Sequence, residues 1–245
     1  MFQRILQDAK DRDVNEADTA TIVKEMFSEV FGFDKFTEIT SECAVQKTFC
    51  DLAVKLEDDI FYLVEVKAIG LTLKDNHLRQ AVNYGSNHGI TWVVLTNGIT
   101  WEIYCVVCEG KVTHELICSF NFLEISARKA EDREKLFLLC RRGVAKKAIE
   151  DYQQHVQVVN RFIVSAILRT EPVLKAVRRE LKRLAPRVKT TEQQVESILV
   201  KEILKREVMD GDAAEHAAKK VKKSINKQKR QAEEEVAVAS NEQVG

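Results

Sequence analysis

At 245 residues, 45% hydrophobic and 31% charged, the chain has an ordinary globular composition and can bury a sizeable core as one domain or two. It contains no run of about 18 apolar residues and opens without the apolar core of a signal peptide, so neither a membrane span nor export is expected. The zero net charge conceals an asymmetry: residues 1–130 hold 13 Lys/Arg against 20 Asp/Glu, and residues 131–245 hold 25 against 18, which makes nucleic acid a candidate partner for the basic half.

Residues 3–13 are polar with a weak helical period and read as a short lead-in helix. Asn15-Glu16-Ala17-Asp18-Thr19 opens a stronger one, with Ile22, Val23, Met26, Phe27, Val30 and Phe31 at helical spacing. Asn15 suits its N-cap, Asp18 its first turn, and Gly32 its end. Residues 38–40 and 44–46 read as short strand segments. Two longer strands follow, Thr48–Leu56 and Ile60–Lys67, joined by the acidic turn Glu57-Asp58-Asp59. A helix is expected from about Asp75 to Asn87. Thr91–Thr96 is a continuous apolar run suited to a buried strand. Asn97-Gly98 is a strong hairpin signal leading into 99–107, and Glu109-Gly110 a second turn before a strand over about 111–120. The two tryptophans fall in strands and read as core. The fold class expected is α+β, with a mixed central sheet.

Beyond Asn121 the pattern is helical, over 131–153, 156–170, 172–184, 191–209 and 212–232. Phe162, Ile163, Ala166 and Ile167 make one apolar stripe; Val195, Ile198, Leu199 and Ile203 make another. Thr191 and Gln194 fit a capping box. Pro172 and Pro186 punctuate a helix start and a loop. The domains expected are 1–125, a helical basic region 126–232, and a disordered tail 233–245. The six cysteines lie mostly in apolar runs and, without an export signal, read as reduced thiols of a cytoplasmic protein. Cys105 and Cys108 have metal-like spacing but no second Cys/His pair.

Three charged residues interrupt the apolar strands 48–67: Asp51, Glu65 and Lys67. Glu65 and Lys67 lie two apart and share a face. Burying such charges is costly unless they pair or hold a metal. Taken singly, Glu65 and Lys67 also suit a solvated strand face, and Asp51 a turn cap. Taken together with what flanks them, they point to chemistry.

Cys50-Asp51, then Glu65-Val66-Lys67, then Gln80-Ala-Val-Asn-Tyr84 resembles the PD-(D/E)xK nuclease superfamily. More narrowly, it resembles the N-terminal nuclease domain of type I restriction enzyme restriction subunits, as do Asn15–Thr19 and Gly32-Phe33-Asp34. The resemblance covers about residues 13–107. It implies a restriction-endonuclease-like core and a metal-dependent endonuclease acting on DNA in restriction or defence. The alternative is a catalytically silent nucleic-acid-binding or assembly module of the same fold. Phosphodiester hydrolysis uses Mg²⁺, with Mn²⁺ as a substitute, to activate water and neutralise the leaving oxygen. Asp51, Glu65 and the Val66 carbonyl are the hard oxygen ligands such an ion takes. Lys67 orients or deprotonates the water, or stabilises charge on the phosphate; acting as a base needs a depressed pKa, which a nearby metal would give. The resemblance makes Glu16 a further carboxylate of the metal site, and Gln80 the residue that orients phosphate or lysine. Tyr84, one turn on, faces nucleic acid with it. Cys50 stands where the family has proline and Ala20 where it often has arginine; the second departure removes a phosphate contact.

Arg169–Lys189 carries eight basic residues against two acidic ones. Arg178, Arg179, Lys182 and Arg183 are its candidate nucleic-acid contacts. Lys219, Lys220, Lys222, Lys223, Lys227, Lys229 and Arg230 form a second cluster. Both also suit a solvated helix face. No G-x-x-x-x-G-K-[ST] loop occurs, so this chain supplies no motor of its own. It is expected to act alone, as a homo-oligomer, or beside separate subunits.

Overall fold

The computed structural model describes residues 1–45, 48–57, 59–108 and 110–242; the side chains of 42–45, 48, 49, 229 and 232–242 lie outside that description. Gln46, Asp58 and Glu109, which the sequence places in a strand end and two turns, are outside it too. The chain divides into two compact units, residues 1–154 and 155–245. No helix of the described residues is long and apolar enough to cross a membrane.

The first unit is built on one six-stranded mixed sheet in sequential order: β1 (Ile39–Val45), β2 (Thr48–Leu56), β3 (Asp59–Val66), β4 (Trp92–Thr96), β5 (Thr100–Val107) and β6 (Thr113–Asn121). All neighbours are antiparallel except β3 and β4. A parallel pair needs a crossover, and it is supplied by a 3₁₀ turn over Asp75–Leu78 and helix α3 (Arg79–His88). Gly89, in the left-handed region at φ 69°, ends α3 and lets the chain return to the sheet. All five residues of β4 are buried, as suits a central strand covered on both faces.

One face of the sheet packs on α1 (Phe2–Asp11) and α2 (Glu16–Glu29), and the other on α3. The first interface is dense in rings: Phe27 and Phe31 meet Trp101 edge-on, with centroids 5.6 and 5.3 Å apart. The Tyr62 hydroxyl, inside this layer, donates to the Leu139 carbonyl at 3.0 Å. Asn15 caps α2, its side-chain oxygen accepting from the Asp18 amide at 2.9 Å. Of the cysteines, 50, 105, 118 and 140 are buried or partly so, Cys108 is exposed, and none of these five is disulfide-bonded.

The helix expected over 131–153 is three: α4 (Ala130–Leu139), α5 (Arg141–Ala145) and α6 (Ala148–Val158). Tertiary bonds override the helical pattern. Cys140 is extended so that the Arg141 amide reaches the Phe31 carbonyl at 2.9 Å, and its guanidinium grips Glu38 at 2.7 and 2.9 Å. Lys147, at φ 56°, makes the second break.

In the second unit, α7 (Arg161–Leu168) is separated from α6 by Asn160. Its side chain donates to the Val156 and Gln157 carbonyls and accepts from the Phe162 and Ile163 amides, closing one helix and opening the next. Helix α8 (Glu171–Leu184) follows, with proline at its start. The segment expected as one helix over 191–209 begins as α9 (Glu192–Ile198), capped by the Thr191–Gln194 box. It then widens into a π turn over Leu199–Ile203 and a 3₁₀ turn over Arg206–Val208. Of its apolar stripe only Val195 is buried, while Ile198 and Ile203 are exposed, so little packing enforces a regular helix. The last helix, α10, spans Asp212–Glu242 and so includes most of the segment expected as a tail.

Candidate active site

The sequence stretch 48–67 forms β2 and β3 as an antiparallel pair whose regular pairing stops at Leu52↔Val64. One step beyond, the register sets Asp51 opposite Glu65. There the Asp51 side chain replaces the backbone ladder, its Oδ2 accepting from the Val66 amide at 2.6 Å. On the other side of β3 the Lys67 amide donates to the Thr96 carbonyl at 2.8 Å, extending the parallel pairing with β4. Three charged groups are thereby fixed at the carboxyl end of β3, next to that of β4. In open sheets with parallel strands this is the edge where ligands bind.

Glu65 and Lys67 do share a face: Lys67 Nζ lies 2.7 Å from Glu65 Oε1. It also lies 3.4 Å from Glu16 Oε1, which the first turn of α2 brings in from the opposite side. Thr19, fully buried, fastens this junction. Its hydroxyl donates to the Asn15 carbonyl at 2.8 Å and accepts from the Ile69 amide at 3.1 Å. Asn97 holds the same loop from the far side, its amide donating to the Ile69 and Leu71 carbonyls at 3.3 and 2.9 Å. The Asn97 side-chain oxygen Oδ1 meanwhile closes the hairpin by accepting from the Ile99 and Thr100 amides. Thr19 and Asn97 have supporting roles that sequence reading missed, because cap and turn positions already explained both residues. Their burial is the informative signal.

The electrostatics are unbalanced, with three carboxylates meeting one ammonium. Glu65 is 4% exposed, and burial pushes its carboxyl up to about 7; repulsion from Asp51 adds to this and the Lys67 hydrogen bond opposes it. Asp51 is raised as well, by burial foremost, against the Val66 amide and Lys67. For Lys67, burial alone would lower the pKa, but the hydrogen bond and charge of Glu65, with Glu16 and Asp51, carry it above the usual lysine value. Without a bound cation, Lys67 is therefore held as an ammonium.

The remaining candidates are placed differently. Gln80 is exposed in the first turn of α3 and bonds none of these charged groups among the described residues. Tyr84 is 1% exposed, inside the core beneath α3 and stacked on His88 at 4.4 Å; it offers no surface to nucleic acid in this arrangement. Apolar neighbours on both sides of α3 claim that turn of the helix, so spacing from Gln80 did not keep Tyr84 at the surface. Arg178, Arg179, Lys182 and Arg183 lie on α8, in the second unit. Arg178 pairs with Glu192 at 3.5 Å; Arg179 and Arg183 pair with Glu180 at 3.5 and 2.8 Å.

No group of three or more His, Cys, Asp or Glu side chains among the described residues is gathered closely enough to hold a metal by side chains alone. A hard divalent cation needs less, since Mg²⁺ commonly takes one or two carboxylates and keeps several waters. A buried carboxylate, Glu65, and a half-buried one, Asp51, both with raised pKa values and opposite each other across a strand pair, fit that donor set.

Residues 26–119 match the family model for the N terminus of the type I restriction enzyme R protein. The matched span holds Asp51, Glu65, Lys67, Gln80 and Tyr84, begins after Glu16 and Thr19, and covers less than half of the chain. Comparison with curated proteins and with solved structures gave no match.

Proposed function

We propose that the first unit is a metal-dependent endonuclease domain of the PD-(D/E)xK type, acting on DNA in restriction or defence against foreign DNA. The observation that carries this reading is the convergence of Asp51, Glu65 and Lys67 at the carboxyl ends of β3 and β4, with three carboxylates, counting Glu16, around one ammonium. The family match to residues 26–119 supports the restriction role.

Asp51, Glu65, the Val66 carbonyl and Glu16 would hold Mg²⁺, or Mn²⁺ in its place, which when bound supplies Lewis acidity toward the scissile phosphate and acidifies water. The chain's own contribution follows from its geometry. Lys67, braced by Glu65 and Glu16, neutralises charge that develops on the phosphate. Glu16 is half-exposed and hinged only by the start of α2, so it can adjust as substrate enters. Gln80, exposed at the start of α3, orients the phosphate. The ion-paired arginines of α8 and Lys182 add phosphate contacts from the second unit.

The test is incubation of the full chain with plasmid and with DNA and RNA oligonucleotides, in Mg²⁺, Mn²⁺ or EDTA, beside Lys67→Ala and Asp51→Asn. Cleavage that needs the cation and is lost in both variants is expected. Folded wild-type protein that cuts neither DNA nor RNA with any cation refutes the reading and leaves the silent binding or assembly module.

A further inference from the structure

The two basic clusters of the second unit are not alike. On α8 the cations are interleaved with acids: besides the pairs on Glu180 and Glu192, Lys175 pairs with Glu171. On α10 the stretch from His216 to Ala232 holds six lysines and one arginine and no Asp or Glu. At 100° per residue, Lys219, Lys222, Lys223, Lys227 and Arg230 fall on one face. With Asn226 they line one continuous strip. The opposite face carries Ala217 and Val221, which pack with Ile163 and Ala166 of α7. The apolar side of α10 is therefore in use, and the basic side faces solvent. Lys219 has a counter-charge in Glu215 at 3.7 Å. Lys222, Lys223 and Lys227 pair with no carboxylate among the described residues. Lys219 with Lys223, and Lys223 with Lys227, are like-charge neighbours one turn apart and repel each other. A face that serves solubility alone mixes both signs. This one is complementary to an extended polyanion.

We propose that this face of α10 binds the phosphate backbone of double-stranded nucleic acid without regard to base sequence. From Lys219 to Arg230 the strip runs about 17 Å, a length over which a duplex presents on the order of ten phosphate charges. Because α7 holds the other side, α10 cannot sink into the major groove, which is scarcely wider than a helix. Its contacts therefore go to phosphates and position the duplex without reading it. No aromatic residue interrupts the strip, so single strands find nothing to stack on. A membrane-surface helix would need the apolar face that α7 already covers.

The inference goes beyond the nuclease reading and does not rest on it, since binding in EDTA reports it alone. The full chain is titrated against a fluorescent duplex of mixed sequence, following anisotropy as salt rises from about 50 to about 200 mM. Wild type is expected to lose affinity steeply with salt and to bind unrelated duplex sequences equally. The triple variant Lys222→Glu/Lys223→Glu/Lys227→Glu is expected to bind more than about 10-fold more weakly, and to lower the log–log salt slope by about 2–3, near 0.9 per phosphate contact. Lys222→Arg/Lys223→Arg/Lys227→Arg, which keeps the charge, should bind like wild type. Circular dichroism confirms that both variants keep their helix content. Unchanged affinity and slope in the charge-reversal variant overturns the proposal. So does wild-type binding to phosphatidylserine vesicles that equals or exceeds binding to the duplex.

Discussion

Replacing Glu65 by glutamine should stabilise the first unit at neutral pH while removing its chemistry. Burial holds the Glu65 carboxyl at about 7 in the folded protein, against 4.5 for the unperturbed group. The native state therefore binds this proton more tightly than the unfolded chain, and stability falls as pH rises from about 4.5 through about 7. At about 1.4 kcal/mol per pH unit, that gap amounts to about 3 kcal/mol lost on reaching pH 8. Asp51, also raised, acts in the same direction. Lys67 opposes neither trend here, because its raised pKa contributes stability that is present throughout this range and lost only above the usual lysine value. The substituted amide would be neutral at every pH and would keep an oxygen for the Lys67 ammonium, but would leave that ammonium with less counter-charge.

The net expectation for Glu65→Gln is a gain of about 1–3 kcal/mol at pH 8 and little change near pH 5, each kcal/mol raising the melting temperature by about 2–4 °C. Both tryptophans, Trp92 and Trp101, are buried in the first unit, so intrinsic fluorescence melts in EDTA report on that unit alone. Added Mg²⁺ should raise the wild-type melting temperature at pH 8 more than that of the variant. A wild-type protein whose melting temperature is flat or rises between about pH 5 and pH 8 would refute the reasoning. So would a variant that melts lower than wild type at pH 8. Either result would mean that the fold stabilises the carboxylate rather than straining it.

Thr19→Val keeps the shape of a fully buried side chain but leaves the Ile69 amide without its acceptor. It should cost about 1–3 kcal/mol in a denaturant melt, and it should lower cleavage by folded protein, because Glu16 and Lys67 lose their shared anchor. Gly143→Ala would drive a methyl group into the Phe137 carbonyl oxygen, a backbone atom that cannot step aside. A loss of more than about 3 kcal/mol, or failure to accumulate folded protein, is expected, and wild-type stability would contradict the tight turn between α4 and α5.

What the sequence made legible was whatever depends on local pattern. The alternation in 48–67 put Glu65 and Lys67 on one face, and the structure joins them at 2.7 Å. Asn15, Gly32 and Asn97-Gly98 punctuate the chain where side-chain chemistry says they should. Three features were not legible, each decided by contacts far along the chain. The parallel pairing of β3 with β4 depends on where α3 packs, which no strand pattern encodes. The break at Cys140 answers to Phe31 and Glu38, about a hundred residues before Arg141. Tyr84 is claimed by the core rather than by the surface.

Charge is divided unevenly between the two units. Residues 1–154 carry 19 Lys/Arg against 25 Asp/Glu, and residues 155–245 carry 19 against 13. A polyanion approaching the carboxylates around Lys67 meets a surface of its own sign. One lysine, already shared between Glu65 and Glu16, cannot offset that repulsion. A divalent cation lowers the barrier locally, at the scissile phosphate. It does nothing for the phosphates on either side, whose repulsion reaches about 10 Å at ordinary salt. A nuclease built on this first unit therefore needs cations from outside it, and the acid-free stretch 216–232 of α10 is the densest set the chain provides. The same reasoning predicts that rising salt should weaken substrate capture, seen in KM, well before it slows the bond-breaking step, seen in kcat. Parallel loss of both would place the decisive cations at the scissile phosphate instead.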